Sequence, residues 1–247
     1  MTVLFILSPE PIFAAITEII LAIATIELIQ NRVSSNNRFN LLILVTGAAT
    51  TAFIAAFIRV GIQKEIWILL IPTAIIIWSI FTSYNWTKTI IYWWVTSVLY
   101  ISILGSHIIL INQINNGQNW IILMIGIVFA TDTGAYAMGK LFGKHKLIPS
   151  ISPNKTWEGA VGGYFSGILI GGVIIYILNI NLLTSSIILF SCPIIAIIGD
   201  IIESQIKRKL SVKDMSNILP GHGGILDRID SILFTAPWIY WVIIWMN

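Results

Sequence analysis

Residues 183–202 read LTSSIILFSCPIIAIIGDII, twenty residues in which Asp200 is the one charged side chain. As a helix they rise about 30 Å, the depth of a bilayer's hydrocarbon core. A carboxylate placed in lipid costs roughly 2.5 to 3.5 kcal/mol on insertion scales, so Asp200 needs a use or a partner. Apolar runs of the same kind recur near 12 to 29, 41 to 60, 66 to 82, 89 to 111, 120 to 138, 160 to 178 and 229 to 246. The chain is therefore predicted to be all-α, a polytopic integral membrane bundle of about eight transmembrane helices, within a range of seven to nine. A ninth requires Met1 to Ser8, ahead of Pro9 and Pro11, to belong to a broken helix.

Composition points the same way. Hydrophobic residues make up 57% and charged residues 10% of the 247, against about 45–50% and 25% in soluble domains, which excludes a water-soluble globule. Eight spans leave only short loops, so residues 1–247 read as one membrane domain. Within it, 1–119 are apolar helices with few polar motifs, and 120–247 are helices and loops that carry the chemistry. Cys192 is the sole cysteine and lies in an apolar run, so no disulfide can form within the chain. The N-terminus lacks the basic region of a secretory signal. No internal repeat is visible, and the one-sided distribution of polar motifs argues against an inverted-repeat transporter.

Basic residues orient the bundle. With eight spans, Arg32, Arg38, Lys88, Lys140, Lys144, Lys146, Lys155, Lys207, Arg208, Lys209, Lys213 and Arg228 fall on one side, and only Arg59 and Lys64 on the other. The positive-inside rule puts the polar loops 139–158 and 203–228 on the cytoplasmic or stromal side, with both termini opposite. A bacterial inner membrane or a plastid membrane is the expected host. No nucleic-acid partner is expected.

Three polar constellations stand out. Asp132, in the sequence FATDTGAY of 129–136, sits near the end of an apolar span with Tyr136 four residues on, over the same face. It is either functional or close enough to the interface to stay hydrated. The second, PSISPNKTWEG of 149–159, is a turn running into a helix. Ser152, Asn154, Lys155 and Thr156 offer hydroxyls, an amide, an ammonium and helix N-terminal N–H groups to a phosphate; Ser152 or Thr156 could equally be an N-cap. Gly159, Gly163, Gly167 and Gly171 then recur every fourth residue as a smooth strip for close helix packing, one that would also serve a homodimer.

The third runs from Gly199 to Ser231 and holds five of the chain's eleven acids: Asp200, Glu203, Asp214, Asp227 and Asp230. On helices, Asp200, Glu203 and Ser204 share one turn, and Asp227, Asp230 and Ser231 repeat the arrangement. Two such helix ends facing each other would form an oxygen cage suited to Mg²⁺. The loop between them carries Lys207, Arg208, Lys209 and Lys213 for phosphate, and Gly221, Gly223 and Gly224 for close backbone approach. His222 has no second histidine near enough to suggest zinc. Five bases against five acids would also describe a self-neutralising surface loop, but such loops rarely set Asp between isoleucines. Acids for Mg²⁺, bases for phosphate and a membrane setting point to phosphoryl or nucleotidyl transfer onto a lipid.

Ser204-Gln-Ile-Lys207-Arg208, then Lys213-Asp214, Ser216, Leu219-Pro220, His222-Gly-Gly-Ile225 and Asp227-Arg-Ile-Asp230 resemble the signature of phosphatidate cytidylyltransferases, the CDP-diacylglycerol synthases. The segments 199–204, 132–136 and 152–159 are similar to that family's other motifs. The resemblance is strong over 120–247 and generic before it. It implies CTP and phosphatidate as substrates, CDP-diacylglycerol and diphosphate as products, and a divalent metal on Asp200 and Asp227, to which Asp230 is added here. A second cation, monovalent or divalent, is compatible with the cage. Lys207, Arg208 and Lys213 complete the expected catalytic set. Ser152, Asn154, Lys155, Thr156, Ser204, His222, Gly223, Gly224, Arg228 and Asp132 are the expected substrate contacts. A CTP-dependent lipid kinase of the polyprenol type is the nearest alternative, and a cation-coupled transporter the next.

Overall fold

The computed structural model describes residues 8–31, 38–60, 88–216, 218 and 223–246. Its helices are α1 (Glu10–Gln30), α2 (Arg38–Val60), α3 (Lys88–Gln113), α4 (Gly117–Phe142), α5 (Trp157–Leu178), α6 (Leu182–Leu210) and α7 (Leu226–Met246). Among the described residues α1 and α3 to α7 are long and apolar enough to cross a membrane, so the chain is a polytopic helical membrane protein, as its apolar runs predict. Seven of the eight expected spans fall on these helices; the one at 66–82 lies outside the described residues. A departure from pure helix is a two-stranded antiparallel hairpin, β1 (Lys146–Ile148) and β2 (Ser152–Thr156), in which Lys146 faces Thr156 and Ile148 faces Ser152 across an irregular register.

The helices form two compact units. One comprises Pro11–Leu110 with the loop Asp214–Leu226. Phe13, Leu21, Leu28 and Ile101 are fully buried there, and Thr25 and Thr51 join α1 to α2 through their hydroxyls at 2.8 Å. This unit also buries an acid. Glu27 is inaccessible to solvent, and its carboxylate accepts from the Ser216 hydroxyl (2.7 Å) and the backbone N–H groups of Ile225 (2.9 Å) and Leu226 (2.8 Å).

The other unit centres on Ile111–Lys213 and α7 from Asp227 onward. Local signals set its helix ends. Asn116, in the left-handed region at φ 58°, precedes α4. Thr156 caps α5 by accepting from the N–H of Gly159 at 3.1 Å. Asn179, also left-handed at φ 48°, ends α5, and Asn181 caps α6 by accepting from Leu183 at 2.9 Å.

The glycine strip of α5 lies against α4. A Cβ at Gly159 would sit 2.8 Å from the carbonyl oxygen of Ala135, and one at Gly163 would sit 2.6 Å from that of Thr131. One at Gly171 would meet Leu189 of α6 at 2.6 Å and Ile127 at 2.8 Å. Removing side chains lets the two backbones approach, which in lipid is the main source of helix attraction. On α6, Gly199 makes room for the Phe234 ring of α7, since a Cβ there would lie 2.8 Å from it. The hydroxyl of Ser231 donates to Ala196 O at 3.1 Å across the same seam.

Candidate functional site

The hairpin and the ends of α4, α5 and α6 enclose a cleft of about 580 Å³ within the second unit. Asp132 and Tyr136 reach it from α4, Ser152, Asn154, Lys155 and Thr156 from β2, and Asp200 from α6. Residues far apart in sequence thus meet in one polar depression. The hairpin is tied in place at three points. Arg208 donates from Nε to Ile151 O at 2.9 Å, Trp157 N–H donates to His145 O at 2.9 Å, and Glu158 accepts from the N–H groups of Lys144 (3.1 Å) and His145 (3.2 Å).

Lys155 bridges the cleft. Its ammonium lies 2.7 Å from Oδ2 of Asp200 and donates to the Ser204 hydroxyl at 3.4 Å. Its side chain is 24% exposed and that of Asp200 34%, so the pair borders open space and can exchange partners with an incoming anion.

Next to this pair, Asp200, Glu203 and Asp230 each direct one carboxylate oxygen into a region where those atoms lie within 4.8 Å of one another. Asp230 is 9% exposed and its Oδ1 accepts from Ser231 N–H at 2.6 Å; Glu203 is fully buried. Three carboxylates so placed repel one another in a low-dielectric setting, and the ammonium groups of Lys155 on Asp200 and Lys207 on Glu203 offset part of that repulsion. Oε1 of Glu203 is moreover buried with no hydrogen-bond partner among the described residues. Three carboxylates gathered this closely are the hard-oxygen donor type that Mg²⁺ takes, and the orphaned buried Oε1 of Glu203 supports a cation there.

Asp227 lies beside Glu203 of this trio, and the two share one lysine. Its Oδ1 meets the ammonium of Lys207 at 3.1 Å, and the same ammonium lies 2.6 Å from Oε2 of Glu203. Lys207 therefore serves as an internal counter-ion, with its side chain 14% exposed, rather than as the free phosphate donor the sequence suggests. Arg208 likewise spends its Nε on the hairpin. Lys213 and Arg228 are exposed at the surface. Gly223, with a positive φ of 80°, and Gly224 belong to the loop of the first unit, where a Cβ at Gly224 would lie 2.7 Å from Oε2 of Glu27. His222 lies outside the described residues.

Two residues carry more than their sequence context announces. Glu203 was placed beside Asp200 by helical spacing, yet its partnership with Asp230 depends on how α6 meets α7. Glu27 is not among the residues the sequence singles out, although an acid inside an apolar run is the available signal.

The model of a family described as the cytidylyltransferase family matches residues 1–246. Proteins named phosphatidate cytidylyltransferase share parts of the chain. The one from Staphylococcus aureus (strain COL) is 46% identical over 128 residues, 50% of this chain and 48% of that protein. The one from Staphylococcus haemolyticus is 44% identical over 125 residues, covering 50% and 48%. The one from Mycobacterium bovis is 42% identical over 134 residues, covering 50% and 42%. The chain thus spans about half the length of the curated relatives it matches.

Proposed function

The chain belongs to the cytidylyltransferase family, and we propose that it transfers the cytidylyl group of CTP to phosphatidate, yielding CDP-diacylglycerol and diphosphate. The observation that carries this reading is the junction of two features at Asp200: a cationic, hydroxyl-lined cleft on one side and the carboxylate trio with Glu203 and Asp230 on the other. The first suits phosphates and the second suits a metal.

In the reaction a phosphate oxygen of phosphatidate bonds to the α-phosphorus of CTP, the α–β anhydride bond breaks, and diphosphate leaves. The attacking oxygen is already anionic, so no strong base is required. The barrier lies in bringing two anions together, and fixed positive charge lowers it. Lys155 is positioned to turn from Asp200 towards a phosphate, with Ser152, Asn154 and Thr156 beside it in the cleft wall. Lys207 keeps Glu203 and Asp227 neutralised and α6 in register with α7. Bound on Asp200, Glu203 and Asp230, Mg²⁺ would supply the remaining charge neutralisation. This set adds Glu203 to the acids the resemblance implies; Asp227, another of them, pairs with Lys207 at 3.1 Å beside Glu203. The positive-inside count supports an orientation with the hairpin on the cytoplasmic side, where CTP is available. A homodimer would have to use a face other than the glycine strip, whose positions lie against α4 and α6 of the same chain.

Purified protein given labelled CTP, phosphatidate and Mg²⁺ is expected to form CDP-lipid and diphosphate in equal amounts. CDP with a newly phosphorylated lipid, or no lipid product, would overturn the reading.

A further inference from the structure

A second depression of about 570 Å³ lies along α5 and α6, walled by Val161, Phe165, Ile194, Ile198 and Ile201. Leu147, Ala160 and Ile197 line both this groove and the polar cleft, so the two form one continuous trough, ionic at the Lys155 end and apolar at the other. Ordinary contact with bilayer lipid accounts for the isoleucines of α6, but not for Leu147 and Ile148. Those two belong to the hairpin, outside the spanning helices, and they extend the apolar wall up to the cleft. From Ile201 to Ile194 the helix descends about 10 Å. A free nucleotide would leave this wall uncovered, and a zwitterionic bilayer lipid would bring no surplus negative charge to Lys155. An amphiphile with an anionic phosphate head satisfies both ends at once.

We propose that the groove seats the part of one acyl chain nearest the glycerol of the phosphatidate substrate, so that the lipid reaches the cleft from the side, between α5 and α6. The inference rests on phosphatidate being the acceptor.

The test uses the full-length protein in phosphatidylcholine nanodiscs, with phosphatidate carrying a photoreactive diazirine in the proximal half of one acyl chain. Label is expected on residues 157–165 and 194–201, displaced by excess unlabelled phosphatidate and not by added phosphatidylcholine of the same chains. Label elsewhere, or equal displacement by both lipids, overturns the groove. In a second arm, Ile198→Trp and Val161→Trp fill the groove from positions 47% and 52% exposed, where a larger ring disturbs no core. The loss in kcat/KM for dioleoyl phosphatidate should exceed the loss for the dihexanoyl lipid about tenfold, equivalent to roughly two methylenes deprived of apolar contact. Equal losses on both lipids overturn the proposal. Protein that labels as expected but makes no CDP-lipid refutes the catalytic reading alone; protein that makes CDP-lipid but labels elsewhere refutes the groove alone.

Discussion

A lysine held between two buried acids contributes most through what its removal strands. Lys207→Met leaves Glu203 and Asp227 without their shared cation, a loss of about 3 to 5 kcal/mol for a broken buried pair. We expect a lower melting midpoint in detergent, partly recovered when Glu203→Gln is added, because the second change removes the stranded charge. Asp230→Asn tests a different role. It preserves shape while weakening one of the three carboxylates proposed to hold Mg²⁺, so the Mg²⁺ concentration for half-maximal activity should rise by roughly tenfold or more. An unchanged Mg²⁺ midpoint would remove Asp230 from the metal set. Lys155→Ala should lower activity with little change in melting, since its side chain borders the open cleft.

Among elements, the α4–α5 contact gives the clearest contrast. Gly163→Ala drives a methyl to 2.6 Å from a backbone carbonyl that cannot yield alone, so the helices must part at about 1 to 3 kcal/mol. Gly172→Ala, with nothing within 4 Å, should be neutral or stabilising by up to about 1 kcal/mol through helix propensity. Thermal melts of the two variants, which differ only in position along one helix, check this. The spacing of these glycines and the spans are legible in the sequence, because helical periodicity and the cost of charge in lipid are local signals; that Asp132, Lys155 and Asp200 line one cleft is not legible that way, since they lie in three separate segments and only the resemblance joins them. The hairpin escaped, since strands of three and five residues are too short for an alternating pattern to register. The grouping of Glu203 with Asp230 escaped for another reason. Spacing sets which residues share a helix face, but the rotation of α7 against α6, fixed by Gly199, Phe234 and Ser231, decides which faces meet.

For the molecule as a whole, the charge distribution makes a prediction about sidedness. In a Cys192→Ala background, Lys144→Cys and Lys213→Cys, both at exposed positions, should react with an impermeant thiol reagent from the same side of sealed vesicles. Asn115→Cys, in the turn between α3 and α4, should react from the other. Labelling of all three from one side would contradict the eight-span arrangement and the positive-inside orientation drawn from it.

Glu27 sets a timetable for synthesis. The described donors that satisfy its carboxylate all come from residues 216–226, as many as 199 positions later in the chain. At about 5 to 20 residues per second, ribosomes need roughly 10 to 40 seconds to deliver them. Throughout that interval a nascent α1 carries an uncompensated acid into the bilayer, where insertion and membrane quality-control machinery can find it. A chain truncated before Ser216 should therefore be cleared from the membrane faster than the same truncation carrying Glu27→Leu, a difference that pulse-chase turnover would reveal.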